Sequence, residues 1–132
     1  MTTLTKFNTQ FENMLDDLLI VFPDNMDIKI FREKFLIARN ANAKLILLTF
    51  FKHSYKFKDQ IMNKNEDFFL SDSLTSQLVG NKELQNDIKV DNEYLLNKAL
   101  NMKKLWGTMN DDNKNSLWQY VQILLKYAEK YV

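Results

Sequence analysis

No cysteine occurs anywhere in the 132-residue chain, which removes disulfide scaffolds, thiolate metal sites and thiol nucleophiles from consideration. The single histidine excludes two-His metal sites and most imidazole chemistry. One proline and two glycines are too few for the turns of a sandwich or small barrel. Two isolated glycines also leave no Gly-rich phosphate loop and no dinucleotide fingerprint. The longest apolar runs, such as Leu45-Ile46-Leu47-Leu48, fall far short of the ~20 residues that span a bilayer. Met1 to Lys6 has neither the basic start nor the apolar run of a signal peptide, so the expectation is an intracellular protein that is not secreted. Arginine is confined to Arg32 and Arg39, which weighs against base-specific DNA reading.

What is present points to helices. Hydrophobic residues make up 45% and charged residues 27%, a balance that supports a folded domain over a disordered chain. Lys and Asn are abundant, which suits an AT-rich coding sequence. Leu4, Phe7, Phe11, Met14, Leu15, Leu18 and Phe22 recur at helical steps and predict a helix from Thr3 to Phe22, capped by Thr3 or Thr5. Pro23-Asp24 ends it. Asp27 is the expected N-cap of a second helix, Ile28 to Arg39, with Ile28, Phe31, Phe35 and Ala38 as its stripe. A third helix is expected from Ala43 to Met62, capped by Asn42, and its apolar girth near Leu45 to Phe51 makes it the candidate central helix.

The Phe68-Phe69-Leu70 run reads as a plug into the core. Ser71 or Asp72 starts a short helix that reaches Val79, with Gly80 at its C-terminal end. Further helices are expected at Asn92 to Thr108 and Lys114 to Tyr131, with Asn81 to Asp91 either helical or a loop. The fold expectation is therefore one all-α domain over residues 1–132, a compact bundle of five main helices plus one short helix. Residues 63–91 form an irregular or partly helical connection.

Net charge is only +1, but it is unevenly spread. Residues 1–27 carry −4, residues 28–58 carry +7, residues 59–97 carry −5 and residues 98–132 carry +3. Opposite signs on neighbouring helices can attract across solvated edges. Alternatively, residues 28–58 present a basic binding face, with Lys44, Lys52, His53, Lys56 and Lys58 interleaved with aromatics. Trp106 and Trp118 read as core anchors or as interface hot spots.

Catalytic and metal patterns fail on inspection. His53 has Ser54 beside it, but adjacent helical positions diverge and no local acid would orient the imidazole. Asp111, Asn113 and Asn115 match the first ligand positions of an EF-hand. Ser116 and Gln122 then stand where the turn glycine and the bidentate glutamate are needed, so helix capping by Asp111 or Asp112 is the better reading. No metal, cofactor or catalytic residue is assigned.

Four pieces together carry a resemblance: Phe11-Glu12-Asn13 running to Asp16-Asp17-Leu18, Val21-Phe22-Pro23-Asp24, Glu66-Asp67-Phe68-Phe69-Leu70, and Leu117-Trp118-Gln119-Tyr120. Their order resembles small helical proteins of large nucleocytoplasmic DNA viruses, of the mimivirus and algal-virus kind. The resemblance implies a site inside an infected host cell, in cytoplasm or viral factory, or a place in the virion. It supplies no catalytic residues. The expectation is a non-enzymatic module that binds another protein, viral or host and possibly itself, with no membrane partner. The alternative is a nucleic-acid-associated protein using residues 28–58.

Overall fold

The first helix follows its sequence pattern closely. α1 spans Thr3–Val21, and its cap is Thr2, whose side chain accepts a hydrogen bond from the Thr5 backbone N–H. The computed structural model describes residues 1–132 and contains helices and no strands. α2 spans Met26–Ala41 and begins earlier than expected, because Asn25 rather than Asp27 caps it, accepting from the Ile28 N–H at 3.0 Å. α3 (Leu45–Ser54) leads through a 3-10 turn at Tyr55–Phe57 directly into α4 (Lys58–Met62). The Asn42 side chain accepts from the Lys44 N–H, one residue ahead of the helix, and makes no cap bond to it.

The connection at residues 63–91 is more ordered than expected. It holds α5 (Glu66–Leu70), α6 (Asp72–Val79) and α7 (Lys82–Ile88). Ser71 caps α6 as predicted, through the Leu74 N–H. Gly80 does follow α6, but at φ −80°, so it uses no left-handed conformation; Lys64 and Lys89 are the residues at positive φ. α8 spans Asn92–Thr108 and α9 spans Asp111–Tyr131. Asn110 caps α9, so Asp111 and Asp112 are not caps but first-turn acids facing the positive end of the dipole. The bundle thus has eight helices when the interrupted α3–α4 pair is counted once, not five plus one.

Asparagine has a structural part that codon bias does not account for. Asn25, Asn65, Asn81 and Asn110 each cap a helix through the side-chain oxygen, and each such cap contributes about 1 kcal/mol over alanine.

α9, not α3, is the central helix. It packs along α1 and also touches α3 and α4. Phe7, Phe11 and Leu15 of α1 meet Phe35 of α2, Leu47 of α3, and Leu124 and Ala128 of α9 in one cluster. Phe11 and Phe35 stack with ring centres 4.9 Å apart. Burial of each large side chain here is worth about 1.5–3 kcal/mol. Gln122, at the place where an EF-hand needs glutamate, donates to the carbonyls of Ile61 and Met62 and closes the end of α4. α8 buries no residue fully: Leu95, Ala99 and Trp106 are half-buried and Met102 is exposed. No helix is long and apolar enough to cross a membrane.

Candidate functional site

The basic segment does not form a single face. Arg32 pairs with Asp16 at 2.7 Å and with Glu12, and Arg39 pairs with Glu12 at 3.1 Å. Lys52 bridges Glu83 and Asp87 of α7, and Lys58 donates to Glu129 of α9. Half of the eight cations of residues 28–58 are thereby matched inside the molecule. Of the rest, Lys29 and Lys34 lie on different sides of α2, Lys44 precedes α3, and Lys56 rests 5.2 Å from the Phe57 ring centre. Lys52 and Lys56 would share a face on a continuous helix. The 3-10 turn after Ser54 breaks that register and sends them to different neighbours. Asp17, on the same helix as Glu12 and Asp16, accepts from the Tyr120 hydroxyl of α9. Burial first, and then this carboxylate, push Tyr120 up to about 12.

His53 is placed quite differently from its flanking lysines. Its side chain is 10% exposed, and Nε2 lies 2.7 Å from Asp87 Oδ2. The acid missing from the local sequence is thus supplied from 34 residues away by α7. Hydrogen bonding from His53, and then from Lys52, holds the Asp87 carboxyl below its ordinary range. Ser54 is not hydrogen-bonded to the imidazole, so the three side chains do not form a nucleophilic relay.

His53, Trp106 and Trp118 do converge. They line one cleft of about 380 Å3 bounded by α3 to α9, in which ten of the twelve lining residues are hydrophobic. A second cleft of about 350 Å3 opens on the side of α8. The two share Phe69, Leu78, Trp106 and Trp118 as a common wall. That wall is built from an aromatic chain: Phe68 packs edge-on to Phe69, Phe69 meets Trp118 at 5.6 Å, and Trp118 meets Trp106 edge-on at 5.7 Å. Trp106 Nε1 donates to Glu66, which also accepts from Lys114 at 3.2 Å. These two donors, Trp106 first, keep the Glu66 carboxyl below its usual value. Of the expected plug, Phe68 and Phe69 are half-buried against Phe57 and stay outside the main core cluster, and Leu70 is exposed.

A third feature lies outside the expected site residues. α2 buries Ile28 and Phe35, yet its opposite side is also apolar. Met26 is 62% exposed, Ile30 45% and Ile37 68%. Spacings of four and seven residues put these three on one face. The sequence signal was a helix with apolar residues outside its core stripe.

No protein-family model matches the chain, and no curated protein or solved structure is significantly similar to it.

Proposed function

We propose that this chain is a non-enzymatic protein-interaction module whose partner docks on the outward face of α2. The observation that carries the reading is the second apolar face of that helix, Met26, Ile30 and Ile37, opposite the face already used by the core. Covering what these three side chains still expose is worth at most about 3–5 kcal/mol before the entropy of association is subtracted, which suits a regulated or reversible contact. The viral resemblance sets the partner in an infected cell or a virion, as a viral protein, a host protein or a second copy. Nucleic-acid binding through residues 28–58 is the weaker reading, because it retains only Lys29, Lys34, Lys44 and Lys56 unpaired.

Affinity purification from infected cells, with wild type and the Ile30→Glu/Ile37→Glu variant in parallel, tests this. Both positions are exposed, so the variant keeps its helical circular dichroism and loses the partner. Retention by wild type is expected to survive high salt, since an apolar contact is little screened, whereas phosphate binding weakens steeply. A folded double variant that holds the same partner as firmly as wild type overturns the reading.

A further inference from the structure

We infer that the paired clefts around Trp106 and Trp118 bind a single-chain amphiphile with one carboxylate head, of the medium-chain fatty acid class. No α2 residue lines either cleft, so this site is independent of the docking face. Protein interiors hold few voids larger than a water molecule, and an apolar lining without contents forfeits its dispersion contacts. Each cleft has a volume near the lower end of the ~300–1,000 Å3 found for small-molecule sites.

The lining selects the ligand. In the larger cleft the two polar side chains are His53 and Ser54, and the imidazole is already tied to Asp87. A sugar or nucleoside would leave its hydroxyls and ring nitrogens unpaired there, which is expensive for buried polar groups. An alkyl chain asks for none. The smaller cleft carries the charge. Its Glu66 is occupied by Trp106 and Lys114, so that acid is internally balanced. Lys103 is not. Its carboxylate neighbour is Asp72, fully exposed and 3.7 Å away, a pair that solvent screens heavily. One effective cation at the rim of an apolar cleft matches one anionic head. The methylene stem of Lys103 covers apolar surface while its ammonium reaches the head, as lysine stems do. Exposed Met102 on the same rim is a flexible side chain that can fold over an entering chain. The tail then lies against the Trp106–Trp118 wall beside Phe69 and Leu78.

The chain's two tryptophans both stand in the shared wall, so intrinsic fluorescence of the intact protein reads occupancy directly. Decanoate and decanol are titrated below their aggregation limits into wild type and Lys103→Met. Decanoate is expected to change the emission saturably at one molecule per chain and to raise the melting temperature. Lys103→Met should weaken decanoate about tenfold, the usual worth of one charge-assisted contact, and leave decanol unchanged. Bromodecanoate should quench wild-type tryptophan emission with the same midpoint, a measurement that needs no variant. Absence of saturable change or quenching with either probe overturns the proposal and leaves the clefts to a partner's side chains. Equal binding of decanoate and decanol overturns the carboxylate assignment.

Discussion

Leu124→Ala and Leu78→Ala remove the same atoms from two kinds of surroundings. Leu124 has no solvent exposure and belongs to the cluster built by Phe7, Phe11, Leu15, Phe35 and Leu47. Truncation there loses the transfer energy of the side chain and leaves a void in a packed wall, together about 3–5 kcal/mol. A chain of this size is stable by about 5–15 kcal/mol, so the loss is roughly a fifth or more of the total. It should lower the melting temperature by roughly 10–15 °C. Leu78 is half-buried and borders both clefts. Its removal enlarges space that is already open, so the cavity contribution is missing and the loss is about 1–1.5 kcal/mol. Urea unfolding followed by far-ultraviolet circular dichroism and by tryptophan fluorescence measures both, and coincident transitions validate the two-state treatment. Losses equal to within about 0.5 kcal/mol would refute the reasoning, because they would mean that Leu78 is enclosed as tightly as Leu124 and the clefts are closed in solution.

Two backbone positions should accept stabilising changes. A Cβ on Gly107 meets nothing within 4 Å, so Gly107→Ala is expected to raise stability by about 0.5–1 kcal/mol, read as a higher urea midpoint at unchanged slope. Lys89 sits at φ 57°, so Lys89→Gly should relieve about 1 kcal/mol; a lower midpoint would refute the left-handed turn after α7. The Glu66 carboxyl is held below its ordinary value of 4.5, so its contribution is complete above that pH and is lost as pH falls through the lower folded value. The melting temperatures of wild type and Glu66→Gln should therefore differ at neutral pH and converge in acid; a gap that does not narrow contradicts the Trp106–Glu66–Lys114 arrangement. The effect is small, because the Glu66 side chain is 41% exposed and solvent screens its pairs.

Periodicity alone determined the helices that make their own face. α1, α8 and α9 were legible because their apolar residues recur every three or four positions over 17 or more residues, a signal that no loop reproduces. Cap identity was less secure. Thr, Asn and Asp compete at each helix start, and the backbone angle that decides between Asn25 and Asp27, or between Asn110 and Asp111, is set by the preceding turn. The short helices α5 and α7 carry five and seven residues, too few to show a period or to be stable alone. Packing against the rest of the chain makes them. The same holds for the candidate sites. The sequence could name His53, Trp106 and Trp118, but their convergence depends on how α3, α8 and α9 lie together. It could count eight cations in residues 28–58, but whether they repel or are matched depended on acids as distant as Glu129. Which of two apolar faces of α2 is buried is likewise a property of its neighbours. Local pattern fixes the angle between side chains on one helix; only the tertiary arrangement fixes which of those side chains meet, because each contact is made with a residue that the local pattern does not contain.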